Sequence, residues 1–188
     1  MLNLISAIHG TGVAASTTSY ESIATTTVGA GGSSTVSFSS IPSTYKHLQL
    51  RWIGRTQNAG TTDYVNIAFN NDTGSSTSYW YHWLRGTGSA VDAVSSGAFY
   101  CFRLAEVPGA TATANVFGGS VFDILDYANT SKNKTGRSLG GFDSNGNGRI
   151  ALISGLYTNT AAISSIQITG ANGNISQYSS FALYGVKG

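Results

Sequence analysis

Apolar and polar residues alternate with a period of two along most of the chain from Tyr20 onward. In HLQLRWIGR (47–55) the leucines and the tryptophan fall on one side of a pleated strand, while the histidine, the glutamine and the first arginine fall on the other. Short segments of this kind follow one another, separated by clusters of Gly, Ser, Thr and Asn, and about ten or eleven strands are predicted. No segment of ten or more residues has apolar residues at a clear helical spacing. The segment VFDILDYAN fits a single helical turn or a strand equally well.

This spacing of short strands predicts an all-β protein, an antiparallel two-sheet β-sandwich of the jelly-roll type. Two hairpins are predicted within it. One joins YESIATTTV (20–28) to TVSFSS (35–40), and the other joins YVNIAFN (64–70) to YWYHWLR (79–85) across NDTGSSTS. The last segment, SSFALYGVK, also has the strand pattern, so the C-terminal residues are predicted to belong to the core.

Residues 1–18 do not continue the alternation and are predicted to form a flexible N-terminal arm. The segment LNLISAI is weakly apolar, and GTGVAASTTS is small and flexible. The sandwich itself is predicted as a single domain, residues 19–188. The arm is interpreted as a docking or oligomer contact, made by its apolar residues Leu2, Leu4, Ile5 and Ile8.

Composition narrows the classes of partner. Only 10% of the 188 residues are charged, and the net charge of +2 predicts neither a nucleic-acid nor a membrane partner. A hydrophobic content of 41% excludes a disordered Gly/Ser polymer. No run has the length of a membrane-spanning helix, and MLNLISAIHGTG lacks the positive start of a signal peptide. The lone Cys101 lies among apolar residues, which predicts a buried, inert thiol.

The loop DSNGNG resembles the first half of a calcium-binding EF-hand loop. Asp143, Asn145 and Asn147 alternate, but the twelfth position is Ser154 where such a loop needs a bidentate glutamate. The favoured interpretation is a tight turn in which the two Asn-Gly pairs supply the positive φ angles. Weak calcium binding at the surface is the alternative.

Residues for catalysis are not brought together by any spacing in the sequence. Glu21 and Glu106 lie in unrelated segments, and on a strand Asp123 and Asp126 face opposite sides. The three histidines show no metal-binding spacing, and neither a nucleophile elbow nor a phosphate-binding loop is present. The sequence therefore predicts no enzyme activity, no catalytic residues, no metal site and no cofactor.

The segment SYWYHWLR predicts an unusual strand. Tyr79, Tyr81 and Trp83 point to one side, and Trp80 and His82 point to the other. A strand with one solvent-exposed face would not be expected to place a tryptophan on that face. Three interpretations stay open: all five residues pack in a core, they form a subunit interface, or they form a platform on which a glycan stacks.

The segment DYANTSKNKTGRS is polar and carries Lys132, Lys134 and Arg137. It is predicted to be a solvated loop. Contact with an acidic surface of a neighbouring protein is the alternative.

Three stretches resemble virion structural proteins of tailed bacteriophages: TVSFSSIPSTYKHLQLRW (35–52), NVFGGSVFDILDYANTSKNKTGRS (115–138) and SSFALYGVKG (179–188). The shared features are an alternating strand that enters an IP-x-x-Y turn and leaves through an L-x-L-R strand, and a closing strand that ends in tyrosine-glycine and a basic residue. The resemblance covers roughly two thirds of the chain. It implies jelly-roll modules that decorate heads, build head fibres or sit at tail tips, often as homotrimers.

Together these observations predict a phage virion structural protein, a capsid-surface decoration or cement module that binds and stabilises or ornaments the head shell. Its expected partners are copies of itself and the major capsid protein or another virion protein. Its expected location is the virion, assembled in the host cytoplasm. The alternative is a receptor- or glycan-binding module of a tail fibre or tail tip, with a host surface glycan as its partner.

Overall fold

Two antiparallel sheets packed face to face make up the computed structural model, which describes residues 18–74, 78–99 and 101–188. These residues contain no helix, so the predicted all-β sandwich is confirmed. Their strands are β1 (Tyr20–Thr27), β2 (Val36–Phe38), β3 (His47–Gly54), β4 (Thr62–Phe69), β5 (Tyr79–Gly86), β6 (Val91–Phe99), β7 (Phe102–Pro108), β8 (Gly118–Leu125), β9 (Lys134–Ser144), β10 (Asn147–Tyr157), β11 (Ile166–Gly170) and β12 (Ser180–Val186). Of the predicted arm, 1–18, all but Thr18 lies outside the described residues, including Leu2, Leu4, Ile5 and Ile8.

The order of the strands is that of a jelly roll with two additions. The large sheet runs β1-β12-β3-β8-β9-β10-β5-β6, and the small sheet runs β2-β11-β4-β7. Without β5, β6, β9 and β10, four strands remain in each sheet, and the chain passes between the sheets as a double Greek key does. The additions are two antiparallel hairpins, β5–β6 and β9–β10, which widen only the large sheet. They are called the inserted hairpins below.

Both hairpins predicted between neighbouring segments are wrong. Strand β1 pairs with β12 and strand β2 with β11, so the segments 20–28 and 35–40 lie in different sheets. Strand β4 pairs with β11 and β7, whereas β5 pairs with β10 and β6. Alternation shows that a segment is a strand with one apolar face, but it does not select the strand beside it. Here the neighbours along the chain share the core from opposite sheets.

The DSNGNG loop forms the turn of the β9–β10 hairpin, as predicted. Ser144 pairs with Asn147 across a two-residue loop in which Asn145 and Gly146 have φ of 58° and 92°. The Gly146 N–H donates to a side-chain oxygen of Asp143 at 2.9 Å. The second Asn-Gly pair was expected to share this role and does not, because Asn147 already begins β10. One pair with positive φ is sufficient for a two-residue hairpin loop.

A cluster of buried aromatic rings fixes the inserted hairpins to the small sheet. Tyr79 of β5 and Tyr157 of β10 stack at 4.7 Å between ring centroids, and neither is exposed. Phe69 of β4 and Phe102 of β7 both pack against Tyr79. The Phe69 N–H donates to the Tyr79 hydroxyl at 2.8 Å. These rings thus cover the inner face of the widened sheet at the inserted hairpins.

These buried phenols predict a loss of stability in alkaline solution. Burial raises the pKa of Tyr157 from 10.0 to about 12, and burial also raises the pKa of Tyr79. The unfolded chain ionises its tyrosines near pH 10, so their stabilising contribution is complete below about pH 10 and is lost as the pH rises towards about 12. Burial likewise raises the pKa of Tyr64, Tyr127 and Cys101, and these shifts act in the same direction. Burial lowers the pKa of Lys134, which acts in the opposite direction.

Urea unfolding midpoints measured from about pH 8 to about pH 11 check this expectation. The midpoint should fall above about pH 10, and it should fall less in Tyr157→Phe, which has one phenol fewer to ionise. A midpoint that stays level over this range would contradict the expectation.

The lysine-rich segment differs from its prediction. Lys134 is not in a solvated loop: it is the first residue of β9 and has no exposed surface. Its ammonium donates to the backbone carbonyls of Asn129, Lys132 and Thr160 at 2.6, 3.0 and 2.8 Å. Three carbonyls from two loops thus replace its water shell, and the lysine ties the loops together.

The other two cations of that segment stay at the surface, but only one of them lies in a loop. The side chain of Lys132 is 55% exposed and forms an ion pair with Asp126. Arg137 lies within β9 and pairs with Asp123 at 3.0 Å, so its position in a loop was predicted wrongly.

Candidate functional site on the outer face of the large sheet

An apolar row crosses the outer face of the large sheet. Leu84 of β5 pairs with Leu152 of β10, Leu152 pairs with Leu139 of β9, and Leu139 pairs with Val121 of β8. Their exposed fractions are 52%, 46%, 56% and 40%. Because residues in register on adjacent strands stand side by side, the four side chains form one continuous strip, here called the aliphatic ladder.

Three further exposed residues extend the ladder. Ile150, 62% exposed, stands in register between Gly86 and Gly141, which have no side chains to flank it. It therefore projects as an isolated knob beside the strip. Val91 lies opposite Gly86, and Ile53 lies opposite Gly119.

The ladder and its three additional residues form an apolar patch as large as the largest ones on monomeric proteins. The seven side chains are between 40% and 75% exposed. Burying an aliphatic side chain removes on the order of 100 Å² of apolar surface, so the seven offer on the order of 400 Å². That is comparable with the largest patches on monomeric proteins, which are often functional, and with the apolar part of one side of a standard interface, about 450 Å². Five of the seven residues belong to the inserted hairpins: Leu84, Val91, Leu139, Ile150 and Leu152.

A polar row borders the ladder. His82, Ser154, Arg137 and Asp123 stand in register across β5, β10, β9 and β8. Asp123 accepts from Arg137 at 3.0 Å and from the Gln49 side chain at 2.8 Å. The charges of this row therefore neutralise each other within the sheet.

Beyond the polar row lies Trp80. As predicted, the side chains of β5 alternate: Tyr79 and Tyr81 are buried in the core, and Trp83 packs against Tyr64 at 5.9 Å. Trp80, 47% exposed, and His82 face outward. Of the five residues predicted as interface or glycan contacts, the structure therefore leaves Trp80 and His82 within reach of a partner. The ladder and Trp80 are four residues apart on β5, about 13 Å.

The indole of Trp80 rests on the backbone of β6. A Cβ built at Gly97 would lie 2.0 Å from the six-membered ring of the indole, so only glycine permits this contact. The register shifts by one residue here, since Tyr79 pairs with Phe99 but Tyr81 pairs with Ser96. This β-bulge places Gly97 under the ring.

A shallow depression of about 380 Å³ lies beside the indole. Its lining residues are Trp80, His82, Thr135, Ser154, Gly155 and Leu156. They are called the Trp80 shelf below. The shelf combines a planar ring with three polar side chains, all on the outer face of the inserted hairpins.

The carboxylates most relevant to chemistry are committed to structural contacts. Glu106, 5% exposed, accepts from Arg85 at 3.0 Å, and Asp63, 1% exposed, accepts from the Asn172 side chain at 2.8 Å. Contacts with Lys132 and Lys46 lower the pKa of Asp126 to about 2. Within the described ranges, His, Cys, Asp and Glu form no group of three that could hold a metal ion.

The Cys101 thiol is buried, as predicted, and desolvation raises its pKa to about 12. The thiolate is the reactive form, so this residue is a poor nucleophile at neutral pH.

The aliphatic ladder was not predicted from the sequence. A signal existed in RIALISGLY, where Ile150, Leu152 and Leu156 alternate with Ala151 and Ile153, so both faces of β10 carry apolar residues. Such a strand is either buried on both sides or exposes an apolar face. Its register with Leu139 and Leu84 could not be read from the sequence.

Comparison with known proteins assigns the chain to no family: it matches no family model and no curated protein. The part of the chain that the structure describes also contains no helix that could span a membrane. The two candidate interaction features of the outer face are the aliphatic ladder and the Trp80 shelf.

Proposed function

We propose that this chain is a structural protein of a tailed-phage virion, a jelly-roll module that decorates or cements the capsid surface. In this proposal, the outer face of the large sheet holds each copy in its assembly. The single observation that carries the assembly role is the aliphatic ladder. The virion setting is supported by the resemblance of residues 35–52, 115–138 and 179–188 to such proteins.

The position of the ladder supports an assembly role. A jelly roll is complete without the inserted hairpins, whose inner faces already contribute rings such as Tyr79 and Tyr157 to the core. Their outer leucines, Leu84, Leu139 and Leu152, keep about half of their surface exposed in the single chain. Leaving on the order of 400 Å² of apolar surface in water offers no folding benefit, so contact with another chain is the physical reason for it.

The occupant that fits this surface is another copy of the chain. The ladder carries no charge, and the adjoining Arg137 and Asp123 neutralise each other, so copies do not repel. In the expected homotrimer, ladders would meet near the threefold axis. The arm, residues 1–18, stays a predicted docking or oligomer contact, with the major capsid protein or another virion protein as the docking partner. Many weak contacts of this kind would add up over a capsid lattice.

Reconstruction of the virion that carries this chain tests the proposal. Many copies over the head, with the inserted hairpins turned towards neighbouring copies, is the expected result. A few copies at the tail would replace decoration with the alternative, a receptor- or glycan-binding module of a tail fibre or tail tip. The exposed indole of Trp80 is the observation that favours this alternative. Absence of the chain from the particle would end both.

A further inference from the structure

We infer that the Trp80 shelf is a binding site for a neutral pyranose sugar, which stacks one face of its ring on the exposed indole. This inference goes beyond the assembly role and does not need it, because the indole of Trp80 and the aliphatic ladder lie on opposite sides of the polar row. The inference applies equally to a protein on the phage head and to one on the tail.

The indole is held ready for such a ligand. One side of the ring lies on Gly97, and 47% of the residue is exposed, so the ring presents a supported plane to solvent. The C–H groups on one face of a pyranose form a flat apolar surface of similar size, which packs on an aromatic plane as other apolar groups do. A preformed plane does not lose rotamer freedom when the ligand binds.

Polar side chains surround this plane on the side of β9 and β10. Thr135 and Ser154 offer hydroxyls that donate or accept, and His82 offers an imidazole. Among the residues that the structure describes, none forms a hydrogen bond with the side chains of these three residues. They are therefore free to exchange water for sugar hydroxyls. An apolar plane beside a few adaptable polar groups is the usual composition of a small-molecule site.

The size and charge of the shelf narrow the ligand class. A depression of about 380 Å³ admits one or two sugar rings. No lysine, arginine or carboxylate lines it, and the two charges of the adjoining polar row, Arg137 and Asp123, are paired with each other. A neutral hexose is therefore favoured over a sialic or uronic acid. An open shelf binds weakly, so each site is expected to bind in the millimolar range, and an oligomer would gain avidity.

Saturation-transfer NMR on the full chain tests the site. The probes are methyl glucoside, methyl galactoside and N-acetylglucosamine, with glucuronate as a charged comparison. We expect at least one neutral sugar to receive saturation, with its ring C–H protons most affected. Trp80→Ala should weaken that signal at least tenfold. Gly97→Ala retains the indole but moves it off its support, and it should weaken binding as well.

Tyr178→Ala is the matched control, because Tyr178 is 68% exposed and does not line the shelf. It should bind sugar as the unmodified chain does. If no neutral sugar binds, or if Trp80→Ala retains the signal, the inference is overturned. If Trp80→Ala changes the oligomeric state, the shelf is a subunit interface and the inference is also overturned. Failure of the virion proposal would leave all these results unchanged.

Discussion

In the proposed homotrimer, Leu139→Lys combined with Leu152→Lys is expected to yield monomers that remain folded. Both side chains are about half exposed in the single chain, so lysine at these positions can extend into solvent without disturbing the core. In an assembly that buries the ladder, the same substitutions remove two apolar contacts and place unpaired charges in the interface. Sedimentation equilibrium measures the mass, and circular dichroism checks the fold.

The expected effect on association is large. Burying the exposed half of each leucine contributes about 0.8–1.5 kcal/mol, and an unpaired buried charge costs several kcal/mol more. Even a loss of about 4 kcal/mol weakens association about a thousandfold. A matched variant, Tyr178→Lys, places the same charge on an exposed ring outside the ladder and should leave the mass unchanged. An unchanged mass in the double variant would show that the ladder is not the self-association surface.

Lys134→Met is expected to destabilise the folded chain by about 2–4 kcal/mol. The substitution preserves the apolar stem but removes the donor that serves the carbonyls of Asn129, Lys132 and Thr160. Loss of this donor costs about 1–3 kcal/mol for each carbonyl that water does not reach, and part of this is offset because a buried charge is also removed. The free energy of unfolding in urea measures the effect.

Lys132→Met is the control for this experiment. Lys132 is two residues away and exposed, and its ion pair with Asp126 should contribute at most about 1 kcal/mol. If Lys134→Met were as stable as the unmodified chain, water would be replacing the ammonium at the three carbonyls. The role of Lys134 in joining the two loops would then be wrong.

The sequence was sufficient for the fold class and insufficient for strand pairing. Period-two alternation in segments such as HLQLRWIGR reports that one face of a strand is buried, and two packed sheets follow from many such segments. The partners of a strand depend on side chains far along the chain. Strand β1 pairs with β12, more than 150 residues away in sequence, so local turn signals after Val28 suggested the wrong neighbour.

The candidate site was partly predictable. The alternation of Tyr79 to Trp83 on one strand put Trp80 outward, and the structure agrees. The support by Gly97 depends on a bulge between β5 and β6, and the ladder depends on the register of four strands. Neither feature is encoded within a single segment. The buried position of Lys134 was missed for a similar reason, because its three acceptors come from two loops.

Protection of the ladder from a thiol reagent tests the central claim most directly. Leu139→Cys and Tyr178→Cys each place one thiol on the surface of the single chain, and the native Cys101 is buried with a raised pKa, so it should contribute little labelling. Maleimide labelling rates are compared in the assembled and the dissociated protein. We predict that assembly slows labelling at position 139 at least tenfold and leaves position 178 unaffected. Equal labelling of position 139 in both states would contradict the claim that the outer face of the large sheet is covered.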